Sequence, residues 1–231
     1  MADQLICNYI ARIRTDFGSK FGVPRQSGVV PELTARIVFE PAYRNPDALR
    51  GLEDFSHLWL VWHFSEVRQE GWSPTVRPPR LGGNTRMGVF ATRSPYRPNP
   101  IGLSSVKMEA IDLHTPDGPV ITVSGADLMD GTPILDIKPY LAYTDSHPEA
   151  TGGFVTGLSD RSLTVDCAPG LLAGVPEDTG RSLLAVLAHD PRPTYQQDSD
   201  RVYGMDFAEY NVRFTVKNGI LTVISLEKRP L

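Results

Sequence analysis

Apolar and polar residues alternate in short runs along the first two thirds of the chain. The runs are Leu5 to Ile13, Leu33 to Phe39, His57 to Phe64, Met87 to Thr92, Ile101 to Leu113, Val120 to Ala126 and Ile134 to Ile137, separated by Gly, Pro, Asn and Asp. A period of two sends successive side chains to opposite faces, so these runs predict strands. In the third run Trp59 and Trp62 stand three apart and face opposite ways, which sends one of them into the core. Strands without intervening helices predict a closed or partly closed barrel, because closure removes the exposed edges of a flat antiparallel sheet. The long run from Ile101 is expected to bend and serve two parts of it. A short helix is expected over Pro46 to Leu52, with Asn45 as its cap and Pro46 at its first position.

The texture changes after Leu141, through Thr144-Asp145-Ser146-His147-Pro148-Glu149 to Gly152-Gly153, which places a domain boundary near 145 to 155. Residues 1–148 read as a β-barrel domain and residues 149–231 as a small α+β domain, so the fold class is mainly β. In the second domain Arg181 to His189 puts Leu183, Leu184, Leu187 and Ala188 on one helical face, and Asp190-Pro191-Arg192-Pro193 stops that helix. Tyr210 to Val216 and Ile220 to Ile224 alternate around Lys217-Asn218-Gly219, and Asn-Gly between such runs predicts a hairpin.

Charge changes the picture more than composition does. With 231 residues and 41% hydrophobic content the chain can bury a full core. It is net acidic, with 23 basic and 27 acidic side chains, yet from Gly71 to Lys107 there are six basic residues and no acidic one. Such segregation can draw a polyanion to one place and repel it elsewhere. The same arginines could instead be dispersed over several faces and paired with carboxylates, and charge alone leaves both readings open.

The N-terminal stretch lacks the apolar run and cleavage site of a secretory leader, and no apolar run approaches the roughly 18 residues of a membrane helix. A cytoplasmic protein without membrane association is expected. Cys7 and Cys167 are far apart, and His57, His63, His114, His147 and His189 show no ligand spacing, so no metal is expected.

No phosphate-binding glycine loop, nucleophile elbow or HExxH motif occurs. Two proline-rich strings carry the candidate chemistry. In Arg93-Ser94-Pro95-Tyr96-Arg97-Pro98-Asn99-Pro100 the prolines stiffen the backbone that holds two arginines and a tyrosine. In Asp130 to Tyr140 a turn leads into a strand whose alternation puts Asp136 and Lys138 on one face, followed by Tyr140. That set could activate a polar substrate, or it could be a surface turn with an ordinary ion pair.

These strings, with Phe21-Gly22-Val23-Pro24-Arg25-Gln26, Gly51 to Trp59, Arg77-Pro78-Pro79-Arg80-Leu81-Gly82-Gly83-Asn84 and Met87 to Ser104, resemble the TrmO (TsaA, YaeB) family of tRNA methyltransferases. Asp190 to Tyr195 and Asn211 to Phe214 extend the resemblance over nearly the whole chain.

The resemblance implies a single-sheet β-barrel that uses S-adenosylmethionine to methylate N6 of threonylcarbamoyladenosine, 3′ of the anticodon, in a homodimer with the donor near the subunit interface. It places Pro24, Arg25, Gln26, Ser65, Glu66, Arg93, Leu103, Gly131, Thr132, Pro133 and Ile134 around the donor. Asp136 or Tyr140 is then expected to handle the N6 proton and Lys138 or Arg93 to bind the threonyl carboxylate, so Asp136, Lys138 and Tyr140 are the catalytic candidates. Arg77, Arg80, Arg86 and Arg97, with Tyr96 and Trp72 as stacking surfaces, are the candidates for holding the anticodon stem-loop. A non-catalytic barrel that binds RNA or another anion, and a methyltransferase with a different acceptor, are the competing readings.

Overall fold

The computed structural model describes residues 5–67, 71–81, 83–156, 162–192 and 198–230. Of the strings above, Gly82, Pro193, Thr194 and Tyr195 lie outside the described residues. The first strands are β1 (Ala11–Arg14), β2 (Thr34–Phe39) and β3 (His57–His63), followed by a two-stranded ribbon of β4 (Thr75–Val76) and β5 (Met87–Gly88). Then come β6 (Ile101–Thr115), β7 (Gly118–Ser124) and β8 (Pro133–Pro139). The barrel closes in the order β1-β2-β7-β6-β3-β8, with Ala11 opposite Ile134 completing the ring.

The alternation in the sequence becomes the wall of this barrel. In β3 Leu58, Leu60 and Trp62 point inward and are buried, while Trp59 points outward and donates its indole N–H to Asp145 Oδ2 at 2.8 Å. β6 serves two neighbours as expected: Ile101 to Lys107 pair with β3, and Lys107 to Thr115 pair with β7 through two irregularities in register. Those bulges bend the strand so that one element turns a barrel corner.

Three expectations need correction. Only six of the seven runs are barrel strands, because Met87–Gly88 leads at once into a 3-10 turn, Val89–Ala91. The prolines around this segment remove ladder donors and fix φ, which suits a short ribbon and turns better than a barrel stave. The first run becomes regular only at Ala11, where partners on β2 and β8 begin, and Leu5 and Ile6 before it remain exposed. The expected helix after Asn45 is a 3-10 turn, Pro46–Leu49, although Asn45 Oδ1 does accept from the Asp47 N–H at 3.0 Å.

The remaining elements are α1 (Ala142–Asp145), β9 (Thr164–Asp166), α2 (Glu177–Ala188), β10 (Tyr203–Phe207), β11 (Tyr210–Lys217) and β12 (Ile220–Lys228). The last four strands form a sheet in the order β10-β11-β12-β9, with β9 parallel to β12. The β11–β12 turn has Asn218 and Gly219 both at positive φ, 53° and 79°, the pair a tight two-residue hairpin requires. α2 buries Leu183, Val186 and Leu187 against this sheet, in a second core distinct from that of the barrel.

One segment crosses between the two cores. Phe17, Val30 and Leu33, which precede β2 in the chain, are buried in the second core with α2 and β10 to β12. The stretch between β1 and β2 therefore leaves the barrel and packs under the C-terminal sheet.

Gly102 on β6 packs face to face with Trp62, its register partner on β3. A Cβ at Gly102 would lie 2.2 Å from indole Cε2. We expect Gly102→Ala to destabilise the protein by about 2 kcal/mol through overpacking, as read by urea unfolding.

Candidate active site

The acid-free stretch forms one wall of an open cleft of about 1450 Å³. Lys20, Arg25, Arg77, Arg86 and Arg93 line it, and no carboxylate does among the described residues. Trp72, Phe90 and Tyr96 also line it and are 53%, 72% and 47% exposed, so their rings face solvent instead of filling a core. Trp72 and Phe90 lie 6.3 Å apart in a tilted pair. Five cations on a concave surface focus a positive potential, and exposed ring faces beside them offer stacking surfaces for bases.

The loop that carries Arg93 is held by its own side chains. Arg97 Nη1 donates to the carbonyls of Thr92 at 3.0 Å and Ser94 at 3.3 Å, and Thr92 Oγ1 donates to the Val89 carbonyl at 2.8 Å. Arg97 thus staples the loop and, among the described residues, is not part of the cleft lining, whereas Arg77 and Arg86 are. Arg93 Nη1 donates to Gln26 Oε1, bringing together two residues that stand far apart in the sequence. Arg25, next to Gln26, donates from Nη2 to the Arg192 carbonyl at 2.9 Å.

Behind this wall lies a group that the sequence did not reveal. Asp127 Oδ1 accepts from Ser104 Oγ at 2.6 Å, and Ser104 Oγ accepts from Trp62 Nε1 at 3.0 Å. The Ser27 N–H also bonds the Asp127 carboxylate, and Arg93 acts on it through its charge. Burial raises the Asp127 pKa above the usual carboxylate range, against the lowering effects of Ser104, the backbone donors and Arg93. Nothing in the sequence points to this residue, since its partners Ser104, Ser27 and Trp62 are brought to it only by barrel closure. Lys20 and Phe90 were likewise missed, for the same reason.

Other expected site residues lie elsewhere. Asp136 and Lys138 share a face of β8 and form an ion pair at 2.8 Å, with both side chains substantially exposed. They lie opposite Val61 and Trp59 of β3, and Tyr140 follows with its ring 5.5 Å from that of Trp59. Leu103, paired with Val61 from the other side, is exposed on the same outer surface. Among the described residues, the cleft lining includes none of Asp136, Lys138, Tyr140 and Leu103. Ser65 and Glu66 are exposed just beyond the end of β3.

Pro24 is half-buried in the loop before Arg25. Gly131 accepts from Arg12 Nη1 at 3.1 Å, and Thr132 is held by its own hydroxyl bond to the Met129 carbonyl at 2.8 Å. Pro133 is buried and pairs with Arg12, while Ile134 is fully buried in the barrel core, so its side chain serves packing. The backbone of Arg80 lies in the 3-10 turn Pro79–Leu81, and its side chain is outside the described atoms.

Comparison with known proteins returns two family matches. Residues 12–146 match the tRNA-methyltransferase O N-terminal domain, and residues 175–229 match the TrmO C-terminal domain. The chain is 41% identical to the tRNA (adenine(37)-N6)-methyltransferase of Escherichia coli (strain K12), over 95% of this chain and 97% of that protein. It is 37% identical, over 89% of this chain and 90% of the other, to RcsF of Pseudomonas aeruginosa, provisionally named an S-adenosylmethionine-dependent methyltransferase. A crystal structure of TrmO from Pseudomonas aeruginosa superposes with a TM-score of 0.77 at 28% identity, covering 97% of this chain and 100% of that one.

The half-buried Asp127 has a pH signature. Its folded-state pKa is raised, so its contribution to stability is full below the unfolded carboxylate value of roughly 3.9 and is lost as pH rises through the folded value. Asp16 is raised by burial and then by Asp130, and it acts in the same sense. We expect Asp127→Asn to flatten part of the decline in unfolding free energy between pH 4 and pH 7, as measured by denaturant titrations across that range.

Proposed function

The chain belongs to the TrmO family of tRNA methyltransferases, and from that premise we propose that it methylates N6 of threonylcarbamoyladenosine beside the anticodon. The single observation that carries the site assignment is the cleft with five cations, exposed rings and no described carboxylate, at whose wall Arg93 is held by Gln26. Two macroscopic requirements meet there. A tRNA loop brings phosphates and unstacked bases, which arginines and exposed aromatic faces bind without sequence specificity. The methyl donor brings a carboxylate, which Arg25 and Arg93 suit as charge-assisted hydrogen-bond donors.

S-adenosylmethionine supplies a methyl group on a sulfonium, open to in-line displacement. What the protein must then provide is alignment and removal of one proton. Arg25, Gln26 and Arg93, with the Pro24 turn, would bind and orient the donor, and Trp72 and Tyr96 would stack loop bases. An N6 that carries a carbamoyl group is more acidic than a plain amine, so a modest base suffices. Asp136, ion-paired with Lys138, or the nearby Tyr140 is proposed to take or orient that proton, and Lys138 or Arg93 to bind the threonyl carboxylate.

Asp136, Lys138 and Tyr140 lie on the outer sheet face and outside the cleft lining, which favours a site assembled from two subunits. Leu103 and Ile101, 54% and 44% exposed on that face, are apolar surface that a second copy could cover. In this reading the enzyme is a homodimer in which one subunit's sheet face meets its partner's cleft, with Leu103 and the Gly131 to Pro133 turn near the donor. Ser65 and Glu66 at the end of β3 complete the proposed donor set. The cytoplasm is the proposed compartment, consistent with Cys7 and Cys167 both being free thiols.

Incubation of tRNA with protein and donor should add one CH2 to threonylcarbamoyladenosine, as read by nucleoside mass analysis; absence of that product removes the reading. Arg93→Ala should lower kcat/KM about 100-fold, on the scale of one charge-assisted contact. Lys138→Ala should cost about 10-fold or more on modified stem-loops and leave turnover of unmodified ones unchanged if it reads the carboxylate. Leu103→Arg should yield a monomer in sedimentation experiments, with loss of activity in step.

A further inference from the structure

The C-terminal domain holds a buried ion pair that the proposed chemistry does not use. Asp190 and Arg192 are joined bidentately, Nε to Oδ1 at 2.8 Å and Nη2 to Oδ2 at 2.9 Å, with side chains 9% and 10% exposed. The Arg192 N–H also bonds Asp190 Oδ1 at 3.3 Å, Asp190 sits at φ 48°, and the guanidinium lies 5.9 Å from the centre of the Tyr203 ring. Burying two charges is costly, and apolar residues of similar volume often stabilise a fold as well or better. What this pair supplies that apolar residues could not is a fixed turn from 190 to 192, closed on itself by both side chains and backbone.

That turn presents one outward group of consequence, the Arg192 carbonyl, which accepts from Arg25 Nη2 at 2.9 Å. Arg25 lines the cleft, and its neighbour Gln26 holds Arg93. The flanks of the same loop are anchored in the same place: Phe17, Val30 and Leu33 are buried in the second core, and Ser182 of α2 donates to the Glu32 carbonyl at 2.8 Å. On the barrel side the loop is held by the Gly28 N–H on the Gly125 carbonyl at 2.8 Å, the Ser27 N–H on the Asp127 carboxylate and Arg93 on Gln26.

We propose that the C-terminal domain is a positioning element for the donor loop, with the Asp190–Arg192 pair fixing the carbonyl that aims Arg25 into the cleft. This rests on the reading of the cleft as the donor site. Asp190 and Arg192 touch no substrate in this arrangement. They act through Arg25, and a preformed Arg25 lowers the ordering cost of donor binding.

The test is a double-mutant cycle on the full-length protein, with S-adenosylmethionine affinity read by isothermal titration. Arg25→Ala should weaken donor binding about 10-fold. Asp190→Asn keeps a residue that tolerates positive φ and removes the charge, and should weaken it about 5-fold while leaving the KM for tRNA within 2-fold of wild type. In the Arg25→Ala background Asp190→Asn should change donor affinity by less than 2-fold. Full additivity, an unchanged donor affinity in folded Asp190→Asn, or a rise confined to the KM for tRNA overturns the proposal. If circular dichroism shows Asp190→Asn unfolded, Arg192→Lys takes its place in the cycle and is judged by the same outcomes. No heat from wild type removes the donor reading itself; heat from wild type that Arg25→Ala weakens and Asp190→Asn does not removes only this inference.

Discussion

Inside the barrel, the indole of Trp62 lies against Gly102, donates to Ser104, and through Ser104 reaches Asp127. This short chain links the barrel core to the loop that carries Gln26, through the Ser27 N–H. A hydroxyl that accepts from one side and donates to the other is polarised in both directions, and the low-dielectric surroundings strengthen each bond. Its end, the half-buried carboxylate of Asp127, receives the Ser27 N–H and feels the charge of Arg93. The barrel core and the cleft are thus joined by hydrogen bonds as well as by the chain.

The second organising constraint is the shared segment between β1 and β2. It leaves the barrel, buries Phe17, Val30 and Leu33 in the C-terminal core, and returns to the barrel at β2. The loop at its middle carries Arg25 and Gln26 to the cleft. A cleft bounded by one wall of barrel loops and one loop anchored in another core has two independent supports. Electrostatics then works on a partly prepared surface: Arg25, held by the Arg192 carbonyl, and Arg93, held by Gln26, lose less freedom when an anion arrives.

The division of arginines shows how local chemistry and tertiary placement share the work. Arg93 and Arg97 stand four apart on the same proline-rich string. One turns to the Thr92 and Ser94 carbonyls and stiffens the loop, and the other reaches Gln26 and lines the cleft. Spacing alone treats them alike. The chain is kin to tRNA (adenine(37)-N6)-methyltransferases, and the geometry separates the arginine that lines the cleft from the one that staples its loop.

Much of the fold was legible in the chain because its signals are local. Period-two alternation in β3 and β6 and Asn218-Gly219 at the hairpin each report a preference decided within a few residues, and each appears in the structure as read; α2 forms where a helix was expected, but it buries Leu183, Val186 and Leu187 and leaves Leu184 and Ala188 half-buried. The expected strand from Met87 to Thr92 failed because ladder pairing needs a partner, and only a two-residue strand stands opposite it. The cationic stretch and the two proline-rich strings were visible as composition, and the family resemblance gave them roles. What the sequence could not contain was adjacency across the closed barrel and between the two cores: Asp127 beside Ser104 and Ser27, Arg25 on the Arg192 carbonyl, Ile134 turned into the core. Those contacts arise from ring closure and from burial of Phe17, Val30 and Leu33 under a distant sheet, which are properties of the whole chain packed at once.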